Sequence, residues 1–292
     1  MTEYTANFKA ENPISVAVYE TPTALAEAAA GLLLEALRAY PGEIITVAVS
    51  GGNTPKSIFA HWASTFQTEI AWERIKFFWV DERCVAPDDQ QSNYKMTRET
   101  LLQKVNIPGK QIFPIFGDRE PASEAQRYAR VLCQNVPLAN GLPRFHLIFL
   151  GMGEDGHTAS IFPGQGHLFT TRECCATSVH PVTGQQRVTL TGAVLNNACQ
   201  VAFLVTGSSK SALIQQILTA LKSDRACPIS GNIPPGRIPL PSRKRQHKQP
   251  PEFPAARVRP VSGTICWLLD REAFSKLTGI HTKFSVETSG EV

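Results

Sequence analysis

The sequence predicts an α/β fold built on a mostly parallel central sheet with helices on both faces. Two observations lead there. Apolar, β-branched runs recur at Ser15 to Tyr19, Ile44 to Val49, Ile75 to Val80, Phe145 to Leu150, Val201 to Val205 and Thr264 to Leu269. Most of these runs are separated by stretches of helical periodicity, and strands that alternate with helices are joined by crossovers that make them parallel.

The clearest helix is TPTALAEAAAGLLLEALRAY at 21 to 40. Thr21 is placed to cap it, Pro22 suits its first turn, and Leu25, Ala29, Leu32, Leu33 and Leu37 fall on one face. Further helices are predicted at Pro55 to Ser64, Asn93 to Gln103, Ser123 to Cys133 and Ser208 to Leu221. One stretch breaks the alternation. Pro228 to Pro254 holds eight prolines and the cluster SRKRQHK, a composition that buries too little apolar surface to offset ordering, so a mobile surface loop is expected.

With 292 residues, 42% of them hydrophobic, the chain can bury a substantial core. Its apolar runs are far shorter than the roughly 18 residues of a membrane helix. The start, MTEYTANFKAENP, lacks a basic segment followed by an apolar one, so a cytoplasmic protein is expected. Seven cysteines include no C-x-x-C pair, and Cys174 and Cys175 are adjacent; reduced, mostly buried thiols are expected. The net charge of +4 comes wholly from Ser230 to Glu252, where five cations face one anion. The remaining chain is neutral, which argues against a nucleic-acid surface.

In an open parallel sheet, ligands bind beyond the carboxyl ends of the strands, and the unusual residues fall there. SGGNTP follows the second run: Gly51 and Gly52 allow close backbone approach, Thr54 is a candidate N-cap and Pro55 a first helical residue. That arrangement suits an anion, phosphate above all, and equally an ordinary strand-to-helix turn. DERCV and then SNYKM follow the third run; Asp81, Glu82 and Arg83 read either as site residues or as a solvated strand end with Arg83 paired to a carboxylate. In TGSSK, Lys210 falls in a first helical turn, where the helix dipole opposes a cation unless an anion lies between them. Arg187 opens another apolar stretch in QQRVTLT.

The loop after the fourth run reads FLGMGEDGHTAS and contains G-x-G-x-x-G. A dinucleotide pyrophosphate would rest against Glu154 and Asp155, and like charges at ~4 Å cost about 1 kcal/mol in water and ~4 kcal/mol at an effective dielectric near 20. Glu173, about where a ribose-binding acid is expected, ends no apolar run. The loop instead supplies His157 at a predicted helix start with Asp155 close enough to orient it, which is equipment for moving a proton.

The ordered set VSGGNTP, FFWVDERCV with SNYKM, FLGMGEDGHTASIFPG, RVTLT and FLVTGSSK, closed by PVSGTICWLLDREA, resembles the 6-phosphogluconolactonase family over about residues 14 to 275. The resemblance implies a Rossmann-like three-layer fold shared with glucosamine-6-phosphate deaminases and ribose-5-phosphate isomerase. It also implies hydrolysis of 6-phospho-D-glucono-1,5-lactone in the pentose phosphate pathway, with neither metal nor organic cofactor. Matched by motif, the phosphate and cationic positions are Ser50, Gly51, Gly52, Asn53, Thr54, Arg83, Arg187 and Lys210, with Asp81 beside them. His157 is the implied base, Asp155 its orienting acid and Arg83 the candidate cation for the oxyanion. The expected partner is a small sugar-phosphate lactone, with no nucleic acid and no membrane, and the expected state a monomer or weak homodimer.

Two departures stand out. The family's Phe-Asp-Leu before the glycine loop is here Phe145-His146-Leu147, so a supporting carboxylate is expected to be lost or replaced. The Pro-rich basic segment, about 229–253, is inserted into what is expected to be one lactonase domain over 1–292, with a flexible tail after about 277. A deaminase or isomerase of the same fold is the rival enzyme, but HTASIFPG offers no carboxylate after the histidine. A non-catalytic sugar-phosphate sensor is the rival from another class, and no helix-turn-helix precedes residue 14.

Overall fold

The computed structural model describes residues 14–223, 237–239 and 253–276. The chain opens with β1 (Ile14–Tyr19), α1 (Pro22–Ala39), β2 (Ile45–Val49), α2 (Asn53–Thr65), β3 (Ile75–Trp79), β4 (Asp81–Arg83) and α3 (Asn93–Thr97). It continues through β5 (Ile112–Phe113), α4 (Pro121–Asn135), the short hairpin β6 (Leu138–Ala139) and β7 (Leu142–Pro143), and β8 (Leu147–Leu150). The remainder is β9 (Cys175–Val179), β10 (Gln186–Leu190), α5 (Gly192–Leu195), β11 (Gln200–Val205), α6 (Ser211–Ser223), β12 (Arg237–Pro239), β13 (Thr264–Asp270) and α7 (Arg271–Phe274).

The main sheet has eight strands in the order β12-β1-β13-β11-β8-β2-β3-β5, and every pairing but that of β12 is parallel. From β2 the chain winds outward through β3 and β5, then returns to lay β8, β11 and β13 on the other side of β2. The winding therefore reverses between β2 and β8, the crevice where such sheets bind ligands. Burial explains the strand composition: all residues of β2 and β8 are buried, so neither shows polar alternation. In α1, Thr21 Oγ1 accepts from Ala24 N at 3.1 Å and the predicted face is buried. Each fully buried leucine there contributes roughly 1.5–3 kcal/mol.

Several expectations are corrected. The helix read at 93–103 is α3 followed by one π-type turn, Arg98–Leu102. A second, antiparallel sheet β4-β10-β9 stands beyond the main one, although β9 was not expected as a strand. Within the segment read as a loop, Arg237–Pro239 pairs antiparallel with β1 as an edge strand, a position that tolerates proline. The rest of that segment up to Glu252, the tail after 276 and the residues before 14 lie outside the described residues. No disulfide joins the described cysteines, but only Cys175 and Cys266 are buried; Cys133 is exposed. His146 immediately precedes β8 at the edge opposite the crevice, where Nδ1 accepts from Thr46 N at 3.0 Å and the ring meets Tyr40 edge-on. Its replacement of an aspartate therefore takes nothing directly from the crevice. Among the described residues, no helix is long and apolar enough to cross a membrane.

Candidate active site

Two loops leave the crevice side by side. Ser50 N donates to Phe149 O at 3.0 Å and Gly151 N to Ser50 Oγ at 3.1 Å, which joins the loop after β2 to the loop after β8. Helix α2 starts one residue before Thr54: Gly52, at φ 105°, takes the cap position without a side-chain bond. Thr54 is not the cap because its hydroxyl is engaged with Thr206 Oγ1 at 2.7 Å, which ties this loop to the one after β11. A Cβ at Gly51 would overlap the Asn93 carboxamide, and Asn93 Nδ2 donates to Asp81 O at 3.0 Å.

The third wall comes from β4. Val80 N still bonds Val49 O in the main sheet while Val80 O receives Leu190 N, so the chain turns from one sheet into the other at this residue. Asp81 and Arg83 are thereby carried over the crevice. Asp81 is buried and accepts from Ser160 Oγ at 2.6 Å. Glu82 is not a solvated strand-end acid: it is 2% exposed and accepts from the backbone N–H groups of Arg83, Asn93 and Tyr94, each at 2.8 Å, and from Ser92 Oγ at 3.1 Å. Burial pushes its carboxyl up to about 7 while those N–H groups pull it down. Among the described residues Arg83 pairs with no carboxylate; its Nη1 donates to Gln91 O at 2.6 Å.

Arg83 and Arg187 are direct cross-strand partners in the β4–β10 register. Like charges facing each other across a ladder are destabilising. Nε of each is buried without a hydrogen-bond partner among the described residues, and burial, then the neighbouring Arg83, lowers the Arg187 pKa. Two opposed cations with unsatisfied buried donors form a receptor for an anion.

The histidine loop holds its own geometry. His157 Nδ1 lies 2.6 Å from Asp155 Oδ1, and His157 N donates to the same oxygen at 3.0 Å. Burial pushes Asp155 up, but the bonds from His157 outweigh it and hold the carboxyl below the usual range. An ionised carboxylate only accepts, so Nδ1 carries a proton, and in the neutral imidazole Nε2 is the nitrogen that presents a lone pair. A Cβ at Gly153 would overlap the imidazole. The expected helix start at His157 is absent: Ala159, at φ 49°, turns the chain away, and Thr158 instead bonds Gly151 O through its hydroxyl at 2.9 Å. Lys210 sits in a 3₁₀ turn just before α6; burial lowers its pKa, opposed by Glu154 and Asp270, so acids distant in sequence do face it.

These walls enclose a cleft of about 180 Å³ lined by Ser50, Gly51, Gly52, Asn53, Thr54, Asp81, Arg83, His157, Arg187 and Lys210. The candidates thus line one cleft, except Asp155, which stands directly behind His157, and Glu82, which is buried beside it. Sequence reasoning missed the parts played by Glu82, Asn93 and Ser160, although all three stand inside its motifs. Among the described residues, no group of three or more His, Cys, Asp or Glu side chains is placed to hold a metal ion.

The family model described as glucosamine-6-phosphate isomerases/6-phosphogluconolactonase matches residues 20–237. The chain belongs to this family. Within it, the chain is 43% identical to the 6-phosphogluconolactonase of Treponema pallidum over 182 residues, 62% of this chain and 74% of that protein. It is 36% identical to the 6-phosphogluconolactonase of Synechocystis, covering 80% of this chain and 84% of that one. The solved 6-phosphogluconolactonase from Trypanosoma brucei superposes with a TM-score of 0.71 at 27% identity, covering 92% of this chain and all of that one. A monomeric glucosamine-6-phosphate deaminase, at 20% identity and a TM-score of 0.66, shares the fold.

Proposed function

We propose that the chain hydrolyses 6-phospho-D-glucono-1,5-lactone to 6-phospho-D-gluconate. The observation that carries this reading is the presence, in one cleft, of an Asp-oriented histidine and two opposed guanidiniums with unsatisfied donors. The phosphate is held by the loop Ser50 to Thr54 with Arg187 and Lys210. This places the lactone ring toward His157, with Arg83 available to the carbonyl oxygen.

His157 Nε2 takes a proton from water as the oxygen adds to the carbonyl carbon, and Asp155 stabilises the imidazolium that forms. Arg83 receives the negative charge that develops on the carbonyl oxygen. Collapse of the adduct breaks the bond to the ring oxygen, which takes the proton from the imidazolium and becomes a hydroxyl. Deaminase or isomerase chemistry would need a carboxylate in the segment that follows this histidine to open a sugar ring, and HTASIFPG has none. Of the residues that follow it, the Thr158 and Ser160 hydroxyls are bound to Gly151 and Asp81.

The test is a coupled assay with freshly prepared lactone, corrected for spontaneous hydrolysis. A protein-dependent rate that is much larger for the phosphorylated lactone than for gluconolactone is expected. A rate no higher than the uncatalysed one would overturn the reading.

A further inference from the structure

The histidine loop is fastened from outside by a segment remote in sequence. Phe253 to Arg257 follow the Pro-rich basic stretch and form a short buried 3₁₀ turn, Pro254–Arg257. Ala255 N donates to Gly156 O at 2.9 Å. The Phe253 side chain covers Gly156: a Cβ there would come within 2.9 Å of the phenyl Cδ1, and Gly156 has φ 82°, so glycine is required on both counts. The far end of the segment is anchored separately. Arg257 Nη1 donates to Gly166 O at 3.1 Å, its guanidinium lies 4.8 Å from the Phe169 ring centre, and Asn196 Nδ2 donates to Arg257 O at 3.3 Å.

Inside the loop, Gly153 N bonds His157 O and Gly156 N bonds Gly153 O, which folds 153–157 into a compact turn around the imidazole. Among the described residues, the one hydrogen bond that residues 152–157 receive from outside the loop is that from Ala255. The ties of Ser160 to Thr189 and Asp81 begin only after His157. The compact turn is thus oriented on its leading side by Phe253 and Ala255.

We propose that Phe253 is a positioning residue: with Ala255 it forms a strap that sets where the His157 imidazole stands in the cleft. The inference rests on the reading of His157 as the base, and it places a determinant of turnover at the exit of the Pro-rich segment. A displacement of about 1 Å at a reacting group costs up to ~10²-fold in rate.

Phe253→Ala and Phe253→Leu in the full chain test it by two readouts. In Phe253→Ala, amide exchange across 152–157 should quicken ~10-fold or more while β2, β8 and β11 are unchanged. Its kcat should fall ~10- to 100-fold with KM little altered, because the phosphate is held by other loops. Phe253→Leu, which keeps an apolar cover on Gly156, should fall between Phe253→Ala and wild type in both readouts, and carries the test alone should Phe253→Ala not fold. Unchanged exchange across 152–157 would overturn the strap, and quickened exchange with unchanged kcat would overturn its positioning role. Wild-type protein without lactonase activity would overturn the functional reading, and the exchange comparison would still decide the strap.

Discussion

His157 can accept a proton at Nε2 only while Nδ1 keeps its own, and the 2.6 Å contact with Asp155 enforces that tautomer. The phosphate cations make a different demand. Lys210→Ala should weaken 6-phosphogluconate by about 1.5–3 kcal/mol, the scale of a hydrogen bond to a charged group. It should affect unphosphorylated gluconolactone much less, and equal losses measured for both ligands would contradict the assignment. Glu82 gives a prediction about stability and pH. Its folded pKa of about 7 lies above the ordinary value of 4.5. The protonated form is therefore favoured by folding, and that contribution, present in full below pH 4.5, is lost as pH rises through 7. The stability of wild type relative to Glu82→Gln, which does not titrate, should fall by up to ~3 kcal/mol across this window. Urea unfolding at several pH values reads it, and a difference independent of pH would show that the backbone donors offset burial.

At the level of elements, the β4–β10 ladder holds Arg83 against Arg187. Arg187→Gln should relieve that repulsion and stabilise the free protein by ~0.2–1 kcal/mol, while the rise in Tm on adding 6-phosphogluconate shrinks. A variant less stable than wild type in the absence of ligand would show that this pair is not under strain. The same sheet marks the limit of what the sequence reveals. Strands β2, β3, β8, β11 and β13 were legible because near-complete burial makes them largely apolar runs, and α1 because its leucines and alanines repeat at helical spacing. Strand β9, CATSV, was not: it is short, buries only Cys175 and Ser178 with no period-2 alternation, and owes its form to pairing with β10. Local rules also misplaced Thr54 and the start of a helix at His157. Thr206 engages the Thr54 hydroxyl and Ala159 leaves the helical region, neither of which a local pattern records. The candidate site was legible because its residues sit at strand ends in distinctive types. Glu82 was not, since a carboxylate buried on backbone N–H groups reads in sequence like any other acid.

At the level of the whole molecule, the Pro-rich segment was expected to be a mobile surface loop inserted at about 229–253, and the contact of Phe253 with Gly156 moves its far boundary. Deleting 229–252 should leave turnover nearly unchanged, since loop closure varies by only ~0.6 kcal/mol per doubling of length and β12, which goes with it, lies at the edge of the main sheet. Extending the deletion through Phe253 should lower kcat, and a loss of activity with the shorter deletion would place part of the segment in the functional unit. The central claim, that this cleft hydrolyses a phosphorylated lactone with His157 as its base, meets its most direct test in His157→Ala. Turnover of fresh lactone and binding of 6-phosphogluconate should be measured on the same preparation. A kcat lower by ~10²–10⁴ with binding close to wild type is the expected result; turnover near wild type would remove His157 from the chemistry and contradict the mechanism.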